Sequence, residues 1–556
     1  MKSTLSLPVL AGVAACALAP PGGRAETLYN GIQLSASWPP GDAEARIAKP
    51  PPYLLDRPAV VPIDVGRQLF VDDFLIETTT LRRNFHQPEK YAGNPVLKPE
   101  TASEKTGGAR PGQKRGAGGQ YPEDASAASF DDGVIYDPVD GLFKLWYMSG
   151  ELRDTALAYS KDGLHWERPS FDVVPGTNIV IPYDPTFVRD AFSPWKDPEA
   201  KDPAERYKAF LYSRTLHDGE GGYLYTSPDG IHWRQRAKLD KGVVGDDTSL
   251  FYNPYRRKWA LSIRVSLPQF RRVRNYFESD DFLGLAKVTK SGEVFWTRAD
   301  SVDDPPDPTW IVQNPTQLYA VSPLPYESLM LGLFSVHYGP ENEVCDAGNY
   351  PKLTQIKVAF SRDGFYWDRS DNAVFIAATK KDGDWDRGYL RATGQGCLTV
   401  GDKLYFYYCG YSGHSGEHRG MYAGGSQHVA VLRRDGFASM DADAEGGELT
   451  TRPVKFGGKF LEVNLDAPEG ALTVDVLDED GRIIEPFSAS RCAPLGVDAT
   501  KARVTWAGGA DLGRMAGRTV RFRFHLTRGR LYAFWVSPTE SGESNGLFAS
   551  PPTPSP

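Results

Sequence analysis

The feature that most constrains the fold is a short motif that recurs along the chain. Three copies are complete, at residues 160–166 (SKDGLHW), 227–233 (SPDGIHW) and 361–367 (SRDGFYW), and two weaker copies lie in the gaps, at 289–292 (TKSG) and 433–436 (RRDG). The five copies therefore begin at near-constant spacing. Self-similarity of this kind is the signature of repeat architectures, so five equivalent structural units are expected.

Each unit has the composition of a small antiparallel sheet. The Asp-Gly pair supplies a hairpin turn, because glycine readily adopts positive φ. An apolar run rich in aromatic residues precedes each copy, at 143–147, 207–212, 259–263, 329–334 and 404–408. Each repeat has room for about four strands, which is the content of one propeller blade. The sequence therefore predicts an all-β protein in which a five-bladed β-propeller is followed by a C-terminal β-sandwich.

The predicted domain boundaries follow changes in composition. Residues 60–440 are assigned to the propeller with an N-terminal extension, and a polar segment at 441–447 (DADAEGG) ends it. Short alternating stretches at 448–537 without helical periodicity predict the β-sandwich. Residues 538–556, rich in Ser, Pro and Gly, and much of 101–129 are expected to be disordered.

The N-terminus has the pattern of an export signal. Lys2 is followed by a mostly apolar stretch at 5–19 that is too short to span a bilayer, and small residues suited to cleavage follow. Residues 1–25 are therefore predicted to be a signal peptide of a secreted or periplasmic protein. A lipoprotein signal is the alternative, because residues 13–16 (VAAC) resemble a lipobox whose Cys16 would carry a lipid anchor at the outer membrane. No later segment has the ~18 uninterrupted apolar residues of a transmembrane helix.

Charge and metal-ligand patterns narrow the function further. The formal net charge of -8 excludes a nucleic acid as the main partner. The spacing of His414 and His418 is that of a zinc motif, but Gly416 disfavours the helix that such a motif requires. No catalytic metal and no cofactor are therefore predicted. A structural calcium ion is left open. The basic cluster at 271–274 (RRVR) is interpreted as a solvated loop.

Acidic residues occupy one equivalent position in the first three repeats. In the first, third and fourth repeats this position lies twelve residues before the apolar run. The second repeat has a longer hairpin between the two. In the fifth repeat a count of twelve reaches the residue just after the equivalent position. It holds, in repeat order, Asp131, Asp190, Asp247, Gln317 and Arg391. Because the first strand of each blade lies along the propeller axis, these residues are expected to meet at one mouth of the central funnel.

Loops after the second strand of each blade return to the same mouth. They would bring Glu151, Arg264 and His337 to its rim, where Arg264 and Arg391 could hold a substrate carboxylate or sulfate or balance the acids. Glycoside hydrolysis needs one carboxyl group as proton donor and another as nucleophile or base, and crowded carboxylates raise one another's pKa. The alternative for any one aspartate is that it caps a turn.

These repeats, with acids opening the first three, resemble the five-bladed propeller glycoside hydrolases of families 43 and 32. The segments 67–76 (RQLFVDDFLI) and 94–97 (NPVL) also resemble a group of secreted bacterial proteins of that type. The resemblance implies that Asp131 is the nucleophile or base, that Asp190 stabilises the transition state, and that Asp247 takes the place of the acid. The heptapeptide resembles the Asp-box of sialidases and other propellers, which is structural.

Two departures from the family pattern matter. Asp247 stands where the families have Glu, so Glu278 in the following segment is a second candidate for the donor. Residues 129–134 (SFDDGV) replace the family 32 motif, which argues against a fructan substrate. The sequence also leaves open which member of each neighbouring pair, Asp131 or Asp132 and Asp246 or Asp247, faces the funnel. The expected function is hydrolysis of glycosidic bonds in a carbohydrate substrate. A non-catalytic glycan-binding propeller at the cell surface and, less favoured, a lyase are the alternatives.

Overall fold

The computed structural model describes residues 26–41, 50–108, 124–214, 219–299, 303, 316–416 and 418–553. The predicted export signal and its Cys16 lie outside these residues, as do residues 109–123 of the segment 101–129 that was predicted to be largely disordered. Within the described part of the chain, none of the helices is long and apolar enough to cross a membrane.

The structure is all-β, as the sequence predicts. The described helices are short: α1 (Pro52–Leu55), α2 (Asn342–Gly348) and the 3-10 turns Pro203–Glu205, Leu283–Lys287, Ala489–Arg491 and Leu512–Met515. The N-terminal region contributes β1 (Val61–Pro62), β2 (Gln68–Leu69), β3 (Ile76–Thr79), β4 (Arg82–Phe85) and β5 (Glu89–Lys90). Aromatic and β-branched residues dominate the longer strands that follow, as expected for pleated, buried surfaces.

The described residues of the repeat region form the next 22 strands. They are β6 (Ala127–Ala128), β7 (Val134–Asp137), β8 (Leu142–Ser149), β9 (Asp154–Ser160), β10 (Trp166–Glu167), β11 (Ile179–Ile181), β12 (Arg189–Lys196), β13 (Tyr207–Ser213), β14 (Gly221–Ser227), β15 (Arg234–Lys238), β16 (Ser249–Asn253), β17 (Lys258–Leu267), β18 (Arg271–Ser279), β19 (Val294–Thr297), β20 (Gln317–Glu327), β21 (Leu329–Gly339), β22 (Leu353–Ser361), β23 (Gly388–Val400), β24 (Lys403–Tyr411), β25 (His414–Ser415), β26 (His418–Arg419) and β27 (Gly425–Arg433).

The C-terminal region contributes nine more strands. They are β28 (Ala438–Ala442), β29 (Gly447–Thr451), β30 (Val454–Lys455), β31 (Phe460–Asp466), β32 (Ala471–Leu477), β33 (Asp498–Arg503), β34 (Arg521–Thr527), β35 (Gly529–Ser537) and β36 (Leu547–Phe548).

Five antiparallel sheets of at least four strands follow one another along the repeat region, and β25 and β26 pair as a separate two-stranded sheet. Sheet one contains β6–β11, sheet two β12–β15, and sheet three β16–β19. Sheet four has the order β22-β21-β20-β36, and sheet five the order β23-β24-β27-β5. The first long strands of each sheet form an antiparallel meander. The pairing of β13 with β14 in sheet two is unbroken, with Tyr207 opposite Ser227 and Ser213 opposite Gly221. Register shifts interrupt the pairs β12–β13, β20–β21 and β23–β24.

The complete repeat motifs form turns of one geometry. In the second copy the Ser227 hydroxyl accepts the Gly230 N–H at 2.9 Å, and Asp229 Oδ1 accepts the N–H groups of Ile231 and His232 at 2.8 and 2.9 Å. The first and third copies repeat this pattern. These bonds satisfy main-chain donors that a tight turn leaves unpaired, so the motif is a structural device.

The turns also connect neighbouring sheets. Trp146 of sheet one donates to the Gly230 carbonyl of sheet two at 2.8 Å, and Trp296 of sheet three donates to the Phe365 carbonyl after sheet four at 2.7 Å. Tyr407 of sheet five donates to the Gly163 carbonyl of sheet one at 2.9 Å. Sheets one and five are thus in direct contact although they are far apart in sequence.

Two further sheets pack around a separate apolar core. One has the order β33-β31-β35-β28-β4 with β2 beside β35, and the other the order β3-β29-β34-β32. Their core includes Phe70, Phe74 and Leu75 together with Phe522 and Phe534. Strands of the N-terminal region are therefore integral to this body. Residues 60–440 were predicted to form the propeller with an N-terminal extension, and β2–β4 of that extension belong to these two sheets. No sequence periodicity indicates which sheet a short strand joins.

The C-terminal segment has a defined path as far as Thr553. Phe548 pairs with Tyr326 in β20, Tyr136 N–H donates to the Ser550 hydroxyl at 2.7 Å, and Thr553 N–H donates to the Thr399 carbonyl at 2.9 Å. The prediction of disorder from residue 538 onward is wrong for this stretch. The edge of β20 supplies main-chain partners that composition alone cannot reveal.

Candidate functional site

The five residues at the equivalent repeat position lie at or near the beginning of a strand. Gln317 is the first residue of β20, Asp190 the second of β12 and Arg391 the fourth of β23. Asp131 and Asp247 come just before β7 and β16. Asp131 and Asp247 share an unusual backbone conformation, with φ of 62° and 64°. Left-handed φ is uncommon outside glycine, so this match supports their structural equivalence.

Arg391 joins carboxylates from two other sheets. Its Nη2 donates to Asp131 Oδ1 at 2.5 Å, and its Nη1 donates to Asp247 Oδ1. All three side chains are buried, with 0%, 1% and 6% of the side chain exposed for Arg391, Asp131 and Asp247. Sheets one, three and five therefore meet at a single guanidinium group. We call the end of the sheets where this contact occurs the mouth.

A second arginine bridges two more carboxylates at the mouth. Arg214, which follows β13, donates from Nε to Asp190 and from Nη2 to Asp246. Arg264 Nη1 lies 3.2 Å from the other oxygen of Asp246. The Asp246 side chain is 21% exposed, whereas Asp190 is almost completely buried. Asp131, Asp190, Asp246 and Asp247 are together called the carboxylate cluster.

The neighbour of Asp131 has a different role. Asp132 is fully buried, accepts the Phe130 N–H at 3.0 Å, and forms an ion pair with Arg189 at 3.2 Å. Arg189 belongs to β12, so this pair links sheets one and two. Of the two neighbours, Asp131 rather than Asp132 contacts Arg391, and both Asp246 and Asp247 belong to the carboxylate cluster.

The environment drives the pKa values of two cluster members apart. Burial raises the pKa of Asp131 to about 7; Arg391 opposes the shift and the Asp247 carboxylate reinforces it. Burial also favours a higher pKa for Asp246, but Arg214, Arg264 and Arg272 outweigh it and hold that pKa below its ordinary value. A protonated and an ionised carboxyl group in one site are the requirement for acid–base chemistry near neutral pH.

Beside the cluster lies a group of tyrosines and cations. The hydroxyl groups of Tyr319 and Tyr389 are 2.7 Å apart, and Lys352 Nζ donates to the Tyr319 hydroxyl at 3.2 Å. Arg272 donates to Gln317 Oε1 at 2.8 Å. We call Arg272, Gln317, Tyr319, His337, Lys352 and Tyr389 the tyrosine–lysine cluster.

Of the two glutamates predicted to belong to the site, one lies near the mouth and the other does not. Glu151, in the loop after β8, is buried and accepts a hydrogen bond from Tyr411 at 3.2 Å; Tyr411 packs against Tyr389. Glu151 is therefore near the mouth. Glu278 lies near the far end of β18, where Arg256 Nη1 and the Tyr276 hydroxyl hold it at 2.5 and 2.6 Å. Glu278 is not brought to the carboxylate cluster.

Several residues at the mouth were missed from the sequence. Arg214 follows β13, the second strand of its sheet, so the expectation that loops after the second strands reach the mouth could have found it. Arg264, which was predicted in such a loop, lies within β17 instead. Arg274 is fully buried and donates to the main-chain oxygens of Asp247, at 2.6 Å, and of Tyr319. The interpretation of residues 271–274 as a solvated loop is wrong, because they begin β18 and strand alternation directs Arg272 and Arg274 to the same face.

The described residues contain no group of three or more His, Cys, Asp or Glu side chains arranged to hold a metal ion. His414 Nε2 lies 2.7 Å from Asp382 Oδ1 at the surface. The four cysteines in the described ranges are buried free thiols.

Several solved structures are similar to this chain, and proteins described as glycoside hydrolases are among them. A structure from the GH130 family of mannoside phosphorylases, which contains glycoside hydrolases that target β-1,2-mannosidic linkages in Candida mannan, is 14% identical; the match covers 67% of this chain and 99% of that one, with a TM-score of 0.39. A thermostable family-43 glycoside hydrolase is 13% identical over 57% of this chain and 93% of its own, with a TM-score of 0.37.

A fructofuranosidase from Schwanniomyces occidentalis is 11% identical, over 78% of this chain and 98% of its own, with a TM-score of 0.36. No protein-family model and no curated protein matches the chain. At these identities and TM-scores the similarity establishes neither a family nor a reaction.

Proposed function

We propose that this protein is a glycoside hydrolase whose five sheets are the blades of a five-bladed β-propeller and whose second body is a β-sandwich. The observation that carries the proposal is the meeting of carboxylates from sheets one, two and three on the guanidinium groups of Arg391 and Arg214. The contact of sheet five with sheet one supports a closed ring. In this arrangement the mouth is the funnel opening, and a glycan binds there.

Asp131 is the proposed proton donor. Its Oδ1 accepts from Arg391, while its buried Oδ2 has no hydrogen-bond partner among the described residues, so Oδ2 is the atom that carries the proton. A pKa of about 7 keeps part of the population protonated at neutral pH. This role differs from the one that the family resemblance implies for Asp131, because burial beside Asp247 favours the neutral acid.

Asp246 is the proposed ionised partner. Arg214 and Arg264 keep its carboxylate charged, and it is the most exposed member of the carboxylate cluster. As Asp131 Oδ2 protonates the glycosidic oxygen and the bond to the anomeric carbon breaks, the Asp246 carboxylate stabilises the positive charge and either attacks that carbon or activates a water. Asp190 and Asp247 position Arg214 and Arg391. This chemistry uses side chains of the chain itself and needs no cofactor.

The proposed setting is outside the cytoplasm. Residues 1–25 have the pattern of an export signal, and a glycan-degrading enzyme in the periplasm or medium meets polysaccharides directly. A lipid anchor at Cys16 would instead keep the protein at the outer membrane.

Substitution of the two catalytic carboxylates tests the proposal. Asp131→Asn and Asp246→Asn are each expected to lower sugar release from a polysaccharide panel by at least about 100-fold, because acid–base groups contribute factors of that order. Reducing ends and chromatographic product analysis provide the readout. Glu278→Gln is the matched control, since Glu278 lies at the opposite end of β18, and it should keep activity. Full activity in either aspartate variant would contradict its assigned role.

A glycan-binding protein without activity is the second candidate. It is favoured by the fact that each of the buried acids Asp131, Asp190 and Asp247 already has an arginine partner. Affinity electrophoresis in polysaccharide gels distinguishes the two: retardation without release of reducing ends from any member of the panel supports binding alone.

A further inference from the structure

The mouth contains more cations than the carboxylate cluster neutralises. Arg214, Arg264 and Arg391 have carboxylate partners. In the described ranges no carboxylate lies within ion-pair distance of Arg272, Arg274 or Lys352. Arg274 donates to main-chain oxygens, Arg272 to an amide and Lys352 to a phenol. A local excess of positive charge therefore exists in a protein whose overall charge is -8.

The excess of positive charge is clearest at Lys352. Only 1% of this residue is exposed, and the rings of Tyr319, Tyr389 and Tyr422 surround its Nζ at 5.1, 4.7 and 5.4 Å from their centroids. Ring faces compensate a buried ammonium group only in part. Burial raises the pKa of Tyr319, yet Lys352, Arg272 and Arg391 outweigh burial and lower it. The surroundings of the Tyr319 hydroxyl thus favour a negative charge.

Two buried polar groups beside these cations lack partners. Gln317 Oε1 accepts from Arg272, which identifies the other amide atom as the donor, and that Nε2 has no hydrogen-bond partner in the part of the chain that the structure describes. The same is true of His337 Nδ1. Gln317 and His337 are directly opposite each other in β20 and β21, and both are at most 2% exposed. Buried polar groups without partners are rare in folded proteins and indicate a missing ligand or water.

The position of this group relates it to the carboxylate cluster. Arg274 connects the Asp247 and Tyr319 main chains, and the Arg391 guanidinium lies 5.2 Å from the Tyr319 ring centroid. A sugar held at the carboxylates would therefore place a substituent, or the adjacent sugar, against Arg272 and Lys352.

We propose that the tyrosine–lysine cluster is a subsite for an anionic substituent of the glycan, a uronate carboxylate or a sulfate ester. Arg272 and Lys352 supply the charge, and Gln317 Nε2 supplies a further donor. The inference deepens the proposed function, because it names the substrate class for the same mouth. It concerns binding, so it is tested independently of turnover.

Affinity electrophoresis with matched glycans tests the subsite. The panel contains polyuronates with their carboxyl-reduced forms, and sulfated polysaccharides with their desulfated forms. The full-length protein is expected to bind at least one anionic member about tenfold or more tightly than its neutral counterpart. The pair that shows the preference identifies carboxylate or sulfate as the recognised group. Equal affinity within every pair, including no binding to any member, would overturn the proposal.

Substitutions of single residues test which side chains bind the anionic group. Arg272→Gln and Lys352→Met are each expected to weaken binding of the preferred anionic glycan by about 10- to 100-fold, the value of a charge-assisted hydrogen bond, and to leave its neutral form unaffected. Arg271→Gln is the control, because Arg271 is exposed and pairs with Glu341. Melting curves identify variants that do not fold. If Lys352→Met does not fold, Arg272→Gln provides the test, because Arg272 is only half-buried. Equal loss for anionic and neutral forms would contradict the subsite.

Failure of the proposed function has a different signature. If anionic glycans bind selectively but no reducing ends appear, or if products with ultraviolet absorbance indicate elimination, the subsite stands and hydrolysis does not. If neutral glycans are hydrolysed as well as anionic ones and the variants do not alter this, hydrolysis stands and the subsite does not.

Discussion

At the scale of single residues, aspartates of the same cluster differ in exposure and in ionisation. Asp131 and Asp247 share a left-handed backbone and a common partner in Arg391. Asp246, one residue away from Asp247, is partly exposed and surrounded by Arg214 and Arg264. Burial raises the pKa of Asp131, whereas cations lower that of Asp246 despite burial. The environment, not the residue type, separates an acid from a base.

The raised pKa of Asp131 predicts how stability depends on pH. The groups that face Asp131 are Arg391, Asp247 and Arg274. The folded state retains the Asp131 proton up to a pH of about 7, while the unfolded chain releases it near 4. The folded state therefore binds more protons between these values, and the contribution of Asp131 to stability decreases as pH rises through that window.

Urea unfolding of the wild type and of Asp131→Asn at pH 5 and pH 8 measures this. The wild type is expected to lose more free energy of unfolding between the two pH values than the variant does, because asparagine does not titrate. The same pH dependence in both proteins would show that Asp131 titrates near its ordinary value in the folded state.

At the scale of elements, the repeat motif stabilises turns at the end of the sheets away from the carboxylates. β14 runs from the mouth to Ser227, and Asp229 follows in the turn. The glycine carbonyls of two of these turns accept hydrogen bonds from a neighbouring sheet. A motif can thus recur through the chain because it supplies hydrogen-bond acceptors to main-chain N–H groups in each turn, without contributing to the chemistry.

Asp229→Ala is expected to lower the free energy of unfolding by about 1–3 kcal/mol, because it leaves the N–H groups of Ile231 and His232 without their acceptor. Glycan hydrolysis at saturating substrate should be unchanged. Asp172→Ala is the control: Asp172 is exposed and contacts the His232 ring at 2.9 Å without accepting from the turn. Equal stability of the two variants in urea would remove the proposed role of Asp229.

At the scale of the whole molecule, the N-terminal and C-terminal regions are shared between bodies. β5 joins sheet five, β2–β4 join the sheets of the second body, and β36 joins sheet four. Arg67 forms ion pairs with Glu327 in sheet four and with Asp435 after sheet five. The two bodies are therefore tied together by segments that are remote in sequence.

This arrangement predicts that residues 438–537 do not fold alone. Without β2–β4 the second body loses Phe70, Phe74 and Leu75, each of which is fully buried. Burial of a large apolar side chain contributes about 1.5–3 kcal/mol, so their loss approaches the whole stability of a typical domain. A cooperative thermal transition is expected only when residues 60–86 are fused ahead of the fragment. A cooperative transition of the isolated fragment, measured by circular dichroism, would refute the dependence.

The sequence was sufficient for the properties that depend on local pattern. Repeated turns and aromatic strands predicted the all-β class, and counting along the repeats brought Asp131, Asp247 and Arg391 to one position. These inferences succeeded because hairpin geometry and strand alternation operate over a few residues, and the same register in each repeat places equivalent residues at the same end of the sheets.

Tertiary structure alone decided which groups contact one another. The partner of Asp190, the burial of Arg274, the distant position of Glu278 and the sheets to which β2–β4 and β36 belong all depend on contacts between segments far apart in the chain. Ionisation follows the same rule, because desolvation and neighbouring charges are properties of the folded surroundings. Local pattern specifies the strands and turns, and packing specifies the electrostatics of the site.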